Sequence, residues 1–244
     1  MFKRVGGKSK IKDEIIKLFP PHKLYVELFI GGGSIFFHKD PSEYEVINDL
    51  DKDIFHIYKD MQDVGQTMKD RTFKPSRKEF DVLLKQTSFK SKSDRLYRNL
   101  YISLMSYVGN RISYFGENEE ERKKDSIMGN KYKTDEWKIA LKNIIIENKD
   151  FREVIKTYDS KDTFFYLDPP YSRLRKQWGY SEHTITPLDV FEAVKNIKGK
   201  FLLSYDDTPE IRKTFNSFDI RTIETVYQVL SDRTVGDELL IKNY

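Results

Sequence analysis

Apolar positions change their period several times in the first fifty residues. Over residues 9–19 (SKIKDEIIKLF), Ile11, Ile15, Ile16 and Leu18 recur at near-helical spacing. This predicts an amphipathic helix stopped by Pro20-Pro21. Residues 23–30 (KLYVELFI) are an apolar and aromatic run, the pattern of a buried strand. Gly31-Gly32-Gly33 break that run, a helix is predicted to begin at Ser34, and residues 44–48 (YEVIN) read as a second strand ending in Asn48-Asp49. Strand, glycine turn, helix and strand make a βαβ unit, the seed of a parallel sheet.

Residues 52–62 read as a helix. From about 66 to 140 the pattern becomes charged, with helical segments at 77–86 and 94–107 and a loop-like run at 116–133 (GENEEERKKDSIMGNKYK). Strand patterns return at 143–147 (NIIIE) and 163–167 (TFFYL). A helix is predicted over 186–198, with Thr186 as its cap and Pro187 at its first position. A strand at 200–204 and a helix at 208–217 follow. Strands at 221–229 and 237–243 are joined by SDRTVG as a terminal antiparallel hairpin. The expected architecture is α/β: a sheet domain made of residues 1–62 and 141–244, interrupted by a helical lobe at 63–140.

Composition narrows the chemistry. The chain has 244 residues and no cysteine, which excludes disulfides, thiolate metal sites and a Cys nucleophile. Its four histidines, His22, His38, His56 and His183, form no close-spaced ligand pattern, so no metal is expected. Charged residues make up 34% and the mean hydropathy is -0.66. No apolar run approaches the roughly 20 residues of a membrane span. The opening MFKRVGGKSK has no apolar core of a secretory signal, so an intracellular location without membrane contact is expected. A net charge of +4 hints weakly at a polyanion partner, and the 14% aromatic content suits either base stacking or an aromatic core.

Two motifs carry candidate chemistry. Phe29-Ile30-Gly31-Gly32-Gly33-Ser34 follows a strand, and glycines there let a ligand approach the backbone. Asp49 closes the next strand, 16 residues after Gly33, where an acid accepts hydrogen bonds from ribose hydroxyls in nucleotide folds. The spacing matches neither the dinucleotide fingerprint nor the P-loop, and a plain tight turn is the alternative. Glu27 lies within an apolar strand, and a buried acid needs a partner. The second motif is Asp168-Pro169-Pro170-Tyr171, delivered to the carboxyl end of an apolar strand. Two prolines stiffen this turn. Its carboxylate and carbonyls are acceptors suited to an amino group, and Tyr171 offers a ring for stacking.

In these motifs the sequence resembles the Dam-type, S-adenosylmethionine-dependent DNA adenine-N6 methyltransferases. The resemblance covers most of the chain. Gly6-Gly7-Lys8 resembles the family's cofactor-contacting segment, Val26 to Gly33 its glycine motif, and Asn48-Asp49 its ribose acid. Asp150-Phe151 resembles the pair that cradles the cofactor adenine, Asp168 to Tyr171 the catalytic tetrapeptide, and Glu238 to Tyr244 the closing strand. The motif order is that of the family's α arrangement, which makes the insertion the target recognition domain. The family's middle stretch is matched loosely by Tyr107 to Gly116, so no particular target sequence follows.

The resemblance implies a class I methyltransferase fold. It also implies methyl transfer from S-adenosylmethionine to adenine N6 in double-stranded DNA, with S-adenosylhomocysteine as product, no metal, and a flipped-out base. Asp168 and the Pro169 carbonyl would accept the two N–H bonds of N6, and Tyr171 would stack on the base. Cations flank this motif: Lys8 and Lys10, then Arg173, Arg175 and Lys176 with Trp178 and Tyr180, suited to phosphates and the target base, with a solvated loop as the alternative. In the insertion, Arg95, Arg98, Asn110 and Arg111 are candidates for phosphates or base edges, or for surface ion pairs. His183 has no role. A methyltransferase acting on RNA or a protein amide, and a catalytically silent DNA-binding homologue, are the competing expectations. The oligomeric state, the recognition sequence and any paired restriction enzyme are not legible.

Overall fold

The computed structural model describes residues 8–69, 71–106, 111–114, 134–171, 185–229 and 232–244. In chain order its elements are α1 (Lys12–Ile16), β1 (Leu24–Glu27), β2 (Tyr44–Asn48), α2 (Lys52–Val64), a 3-10 turn (Gly65–Met68), α3 (Arg77–Leu84), α4 (Lys92–Met105), α5 (Thr134–Leu141), β3 (Ile145–Glu147), α6 (Phe151–Tyr158), β4 (Thr163–Leu167), α7 (Pro187–Val194), β5 (Lys200–Asp206), α8 (Pro209–Thr214), β6 (Asp219–Val229) and β7 (Asp232–Lys242). They fall into two units. A sheet unit comprises Lys8–Ile30, Ser34–Asp49 and Lys149–Tyr244, and a helical unit includes Gly31–Gly33 and Leu50–Asn148.

Six strands of the sheet unit lie in the order β2-β1-β4-β5-β7-β6. β1 runs parallel to both β2 and β4, and β4 parallel to β5. β7 pairs antiparallel with β5 and with β6, as the expected hairpin. All five residues of β4 are buried, as its unbroken apolar run requires of a central parallel strand. Alternation sorts the side chains. Val26, Phe165, Leu167, Phe201, Leu203, Leu239 and Ile241 join Phe151, Val154, Val190, Val194 and Ile211 from α6, α7 and α8 in one core. On the strand positions between them sit Glu27, Tyr166, Ser204 and Glu238, all buried. This opposite face therefore carries a polar stripe inside the molecule. β1, flanked by β2 and β4, is where connections depart in opposite directions, and ligands bind at the carboxyl ends of such strands.

Local sequence explains most of the helices. Thr186 and Asp189 form a reciprocal capping box on α7, with Pro187 in its first turn. Thr208 caps α8 through Ile211 N. Other expectations need correction. The first helix keeps only Lys12–Ile16, because Leu18 N and Phe19 N turn back to Ile15 O and Ile16 O in tightened bonds ahead of Pro20. No helix begins at Ser34. His38 N and Lys39 N both reach Ile35 O, and then Lys39 pairs with Glu45 and Pro41 turns the chain toward β2. The hairpin strands are longer than expected, because β7 already starts at Asp232. α6 has no counterpart among the expected elements, although Phe151, Val154 and Ile155 give it a buried helical face capped by Asp150.

The helical unit is built on α2 and α4. Ile54, Ile57, Tyr58 and Met61 are buried on α2, and Leu96, Leu100, Tyr101 and Ile102 on α4. Tyr58 stacks on Trp137 of α5, with ring centroids 6.0 Å apart and planes 9° apart. Asp51, Ser76 and Ser91 cap α2, α3 and α4.

Candidate active site

The sheet unit gathers acids at the carboxyl ends of its parallel strands. Asn48, the last residue of β2, acts as a clasp. Its Nδ2 donates to Leu28 O at 3.0 Å and to Lys149 O at 3.1 Å, and its Oδ1 accepts from Lys149 N at 3.0 Å. Ile30 N donates to Asn48 O at 2.9 Å. One amide thus fixes the segments after β1 and before α6, and sets the backbone of partly exposed Asp49. Phe29 and Phe151 lie in contact there, with centroids 5.4 Å apart. Asp150 caps α6 through Arg152 N and holds the Arg152 guanidinium with two 2.8 Å bonds.

Glu27 is 2% exposed. Tyr25 donates its hydroxyl to Glu27 Oε2 at 2.6 Å. Burial pushes the carboxyl up to about 8, against the Tyr25 hydrogen bond and the Lys39 charge, which favour the anion, while nearby Asp168 adds to the rise. Glu27 is therefore largely protonated at neutral pH.

Asp168 follows β4 and sits at the centre of a second network. Its Oδ1 accepts from Lys8 Nζ at 2.6 Å, from Ser204 Oγ at 3.2 Å and from the Tyr171 hydroxyl at 3.3 Å. Lys8 also reaches Glu238 Oε1 at 3.2 Å, and the Tyr171 hydroxyl donates to that same Glu238 oxygen. Ser204 meets the Tyr166 hydroxyl at 3.2 Å. The Tyr171 ring is 5% exposed, stacks on Tyr205 at 5.2 Å and 23°, and lies 4.7 Å from Lys8 Nζ. Among the described residues, Oδ2 of Asp168 accepts from none, and the Asp168 side chain keeps 22% of its surface exposed. Burial raises the Asp168 carboxyl, Lys8 opposes that and Glu238 adds to it. Burial also works against the charge on Lys8, but Asp168 and Glu238 outweigh it, so lysine stays cationic. The geometry is a carboxylate with one oxygen saturated by donors and one left to take an N–H.

The sequence model of the D12 class N6 adenine-specific DNA methyltransferases matches residues 5–229. The chain belongs to this class. It is 25% identical to the type II methyltransferase M.MjaIII of Methanocaldococcus jannaschii over 99% of this chain and 98% of that one. Similarity extends to the type II methyltransferase M.CviBI of Paramecium bursaria Chlorella virus NC1A, 26% identical over 90% of this chain and 89% of that one. A DNA adenine methylase of Haemophilus influenzae is 21% identical over 91% of this chain and 84% of that one. A D12-class enzyme methylates adenine N6 in DNA, and S-adenosylmethionine supplies the methyl group.

The donor set of the sheet unit fits such a cofactor: partly exposed Asp49 for ribose hydroxyls, the Phe29–Phe151 pair for a flat base, and acids for a cation. Ser34 is half-buried, and its carbonyl accepts from the His38 ring at 3.0 Å. Gly31 and Gly33 adopt φ of +47° and +72°, which favour glycine, and Tyr58 donates to Gly31 O at 2.9 Å. Pro169 is buried and Pro170 half-buried. Among the described residues no helix is long and apolar enough to cross a membrane.

The expected DNA-contacting arginines are committed within their own unit. Arg95 chelates fully buried Asp60 with two 2.8 Å bonds, Arg98 pairs with Asp53 at 2.6 Å, and Arg111 pairs with Asp51 and Asp53. Gly6, Gly7, Asn110, Arg173, Arg175, Trp178 and Tyr180 lie outside the described residues. Sequence reasoning missed Tyr25 as the partner of Glu27, the clasp role of Asn48, and Ser204, Tyr205 and Glu238 as the partners of Asp168 and Tyr171. The available signal was an acid entering the apolar run of Leu239, Leu240 and Ile241.

Proposed function

We propose that this D12-class enzyme methylates adenine within a specific site in double-stranded DNA, and that it takes the base out of the duplex to do so. Adenine N6 is a poor nucleophile because its lone pair is delocalised into the ring. The open Oδ2 of Asp168 and the Pro169 carbonyl accept its two N–H bonds, which frees the lone pair to attack. S-adenosylmethionine would supply the methyl group, its sulfur leaving as the neutral sulfide, and the methylated N6 would lose one proton to solvent. The groups of this chain contribute alignment and charge placement. No atom buried in a stacked duplex reaches such a carboxylate, so the base leaves the stack. Acting on DNA places the enzyme inside a cell, in cytoplasm or nucleoid. Asp49, Glu27, Phe29 and Phe151 are assigned to the cofactor, with Gly6, Gly7, Lys8, Gly31 to Ser34 and Asp150. Arg173, Arg175, Trp178 and Tyr180 are assigned to the target strand, and the residues from 63 to 140 to recognising the site.

The observation that carries this reading is the one-sided hydrogen bonding of Asp168, whose donors among the described residues all meet Oδ1. Labelled-methyl transfer to duplex DNA, RNA and protein in parallel tests it, with the modified base mapped. Label on adenine in duplex DNA is expected. Asp168→Ala should reduce transfer by at least ~100-fold while S-adenosylmethionine still raises the melting temperature. Label on RNA or a protein amide instead, or full turnover by Asp168→Ala, overturns the reading.

A further inference from the structure

Resting on that reading, we infer that Glu238, on the closing hairpin strand, is the positioning residue that turns Asp168 so that its Oδ2 faces the substrate amino group. The carboxylate of Asp168 rotates about a single bond, so something must choose which oxygen meets substrate. Three donors crowd Oδ1: Lys8, Tyr171 and Ser204. Two of these three, Lys8 Nζ and the Tyr171 hydroxyl, are also held by the same Glu238 oxygen. Glu238 is fully buried in β7 between two strands, opposite Asp206 of β5 and Ile223 of β6, so its backbone is fixed by the sheet. A neutral side chain here would take one of two carboxylates away from the Lys8 ammonium and the Tyr171 hydroxyl, both of which also touch Oδ1 of Asp168. Asp168 would then be free to rotate or to pair fully with Lys8. Among the described residues the groups facing Asp168 are Lys8, Tyr171, Ser204, Glu238, Glu27 and Tyr166, and of these Glu238 is the anion that shares its donors.

The charge of Glu238 also raises the Asp168 carboxyl. Removing that charge must therefore move the acid limb of the pH–rate profile to lower pH. A residue that only supports the fold leaves the limb in place.

The test uses the full chain, first confirming that wild type labels adenine in duplex DNA. Glu238→Gln keeps the volume and loses the charge. It is expected to lower kcat by about 10- to 100-fold, the usual scale for losing a residue that orients a reacting group. KM for S-adenosylmethionine should stay within about threefold and the acid limb should move down. Glu238→Asp keeps the charge on a side chain one methylene shorter. It should lower kcat with the acid limb unmoved, and it carries the test alone if the glutamine variant does not fold. Combining Glu238→Gln with Tyr171→Phe should cost no more than the larger single loss, because both break one network. A wild-type kcat in the folded variants, or a kcat loss in Glu238→Gln without movement of the limb, overturns the inference. Because wild-type labelling is measured first, these results leave the adenine reading standing, whereas an unlabelled wild type would remove that reading.

Discussion

At the residue scale, Glu27 is the most displaced acid whose value can be followed. Its carboxyl stands near 8 in the fold, against an ordinary value of 4.5. A carboxyl raised by folding holds its proton more tightly in the native state. Its stabilising contribution is complete below the unfolded value and is lost as pH rises through 8. Glu27→Gln keeps the shape, still accepts from Tyr25, and has no charge to bury. The variant and the wild type should therefore melt together near pH 5, and the variant should melt several degrees higher at pH 9. Thermal scans across that range decide it, and a difference that does not change with pH refutes the buried-proton account. The same residue shows why this site is hard to read in sequence. Glu27 announces itself as an acid in an apolar strand, but its partner Tyr25 is two residues earlier, on the same strand face, and looks like ordinary core.

Elements show which patterns a sequence displays and which it hides. β4 was legible because a strand buried on both faces needs no alternation, and α7 because its cap and proline are local signals. The tightened end of α1 and the turns after Ser34 were not legible. Their apolar spacing is helical, but the chain leaves the helix for partners set by tertiary structure, such as Lys39 for Glu45. Asp168 to Tyr171 could be found as a motif, while Glu238 and Ser204, 70 and 36 residues away by number, meet it only through strand register. The arginines of α4 carry the same lesson. Arg95 looks like a DNA contact in a basic helix, yet it ties α4 to α2 through Asp60, which is 0% exposed. Arg95→Ala leaves that carboxylate buried and alone, at a cost of about 3 kcal/mol, lower than for a fully buried pair because Arg95 is itself partly exposed. Chemical denaturation should report that loss, and adding Asp60→Asn should recover most of it. If Arg95→Ala matches wild type in denaturation and only weakens DNA binding, the arginine serves the DNA rather than the helices.

For the whole molecule, the distribution of charge matters more than its sum. The chain carries +4 overall, but the sheet unit sets Asp168, Glu238 and Glu27 against Lys8 among the strands of the candidate site. The reaction consumes a cationic sulfonium and produces a neutral sulfide, so a site with excess negative charge favours the reactant over the product and helps the product leave. Two unit charges about 5 Å apart attract by about 3 kcal/mol at an effective dielectric of 20. Partial screening still leaves room for about a tenfold difference in affinity, which is 1.4 kcal/mol. S-adenosylmethionine at a given concentration should therefore raise the melting temperature more than S-adenosylhomocysteine does. The gap should widen from pH 6 to pH 9, because Glu27 loses its proton near 8 and adds a further negative charge. Titration calorimetry of both ligands at the two pH values measures this directly. Equal affinities at both, or tighter binding of the sulfide, would show that these acids do not face the sulfonium, and would return Glu27 to a purely structural place in β1.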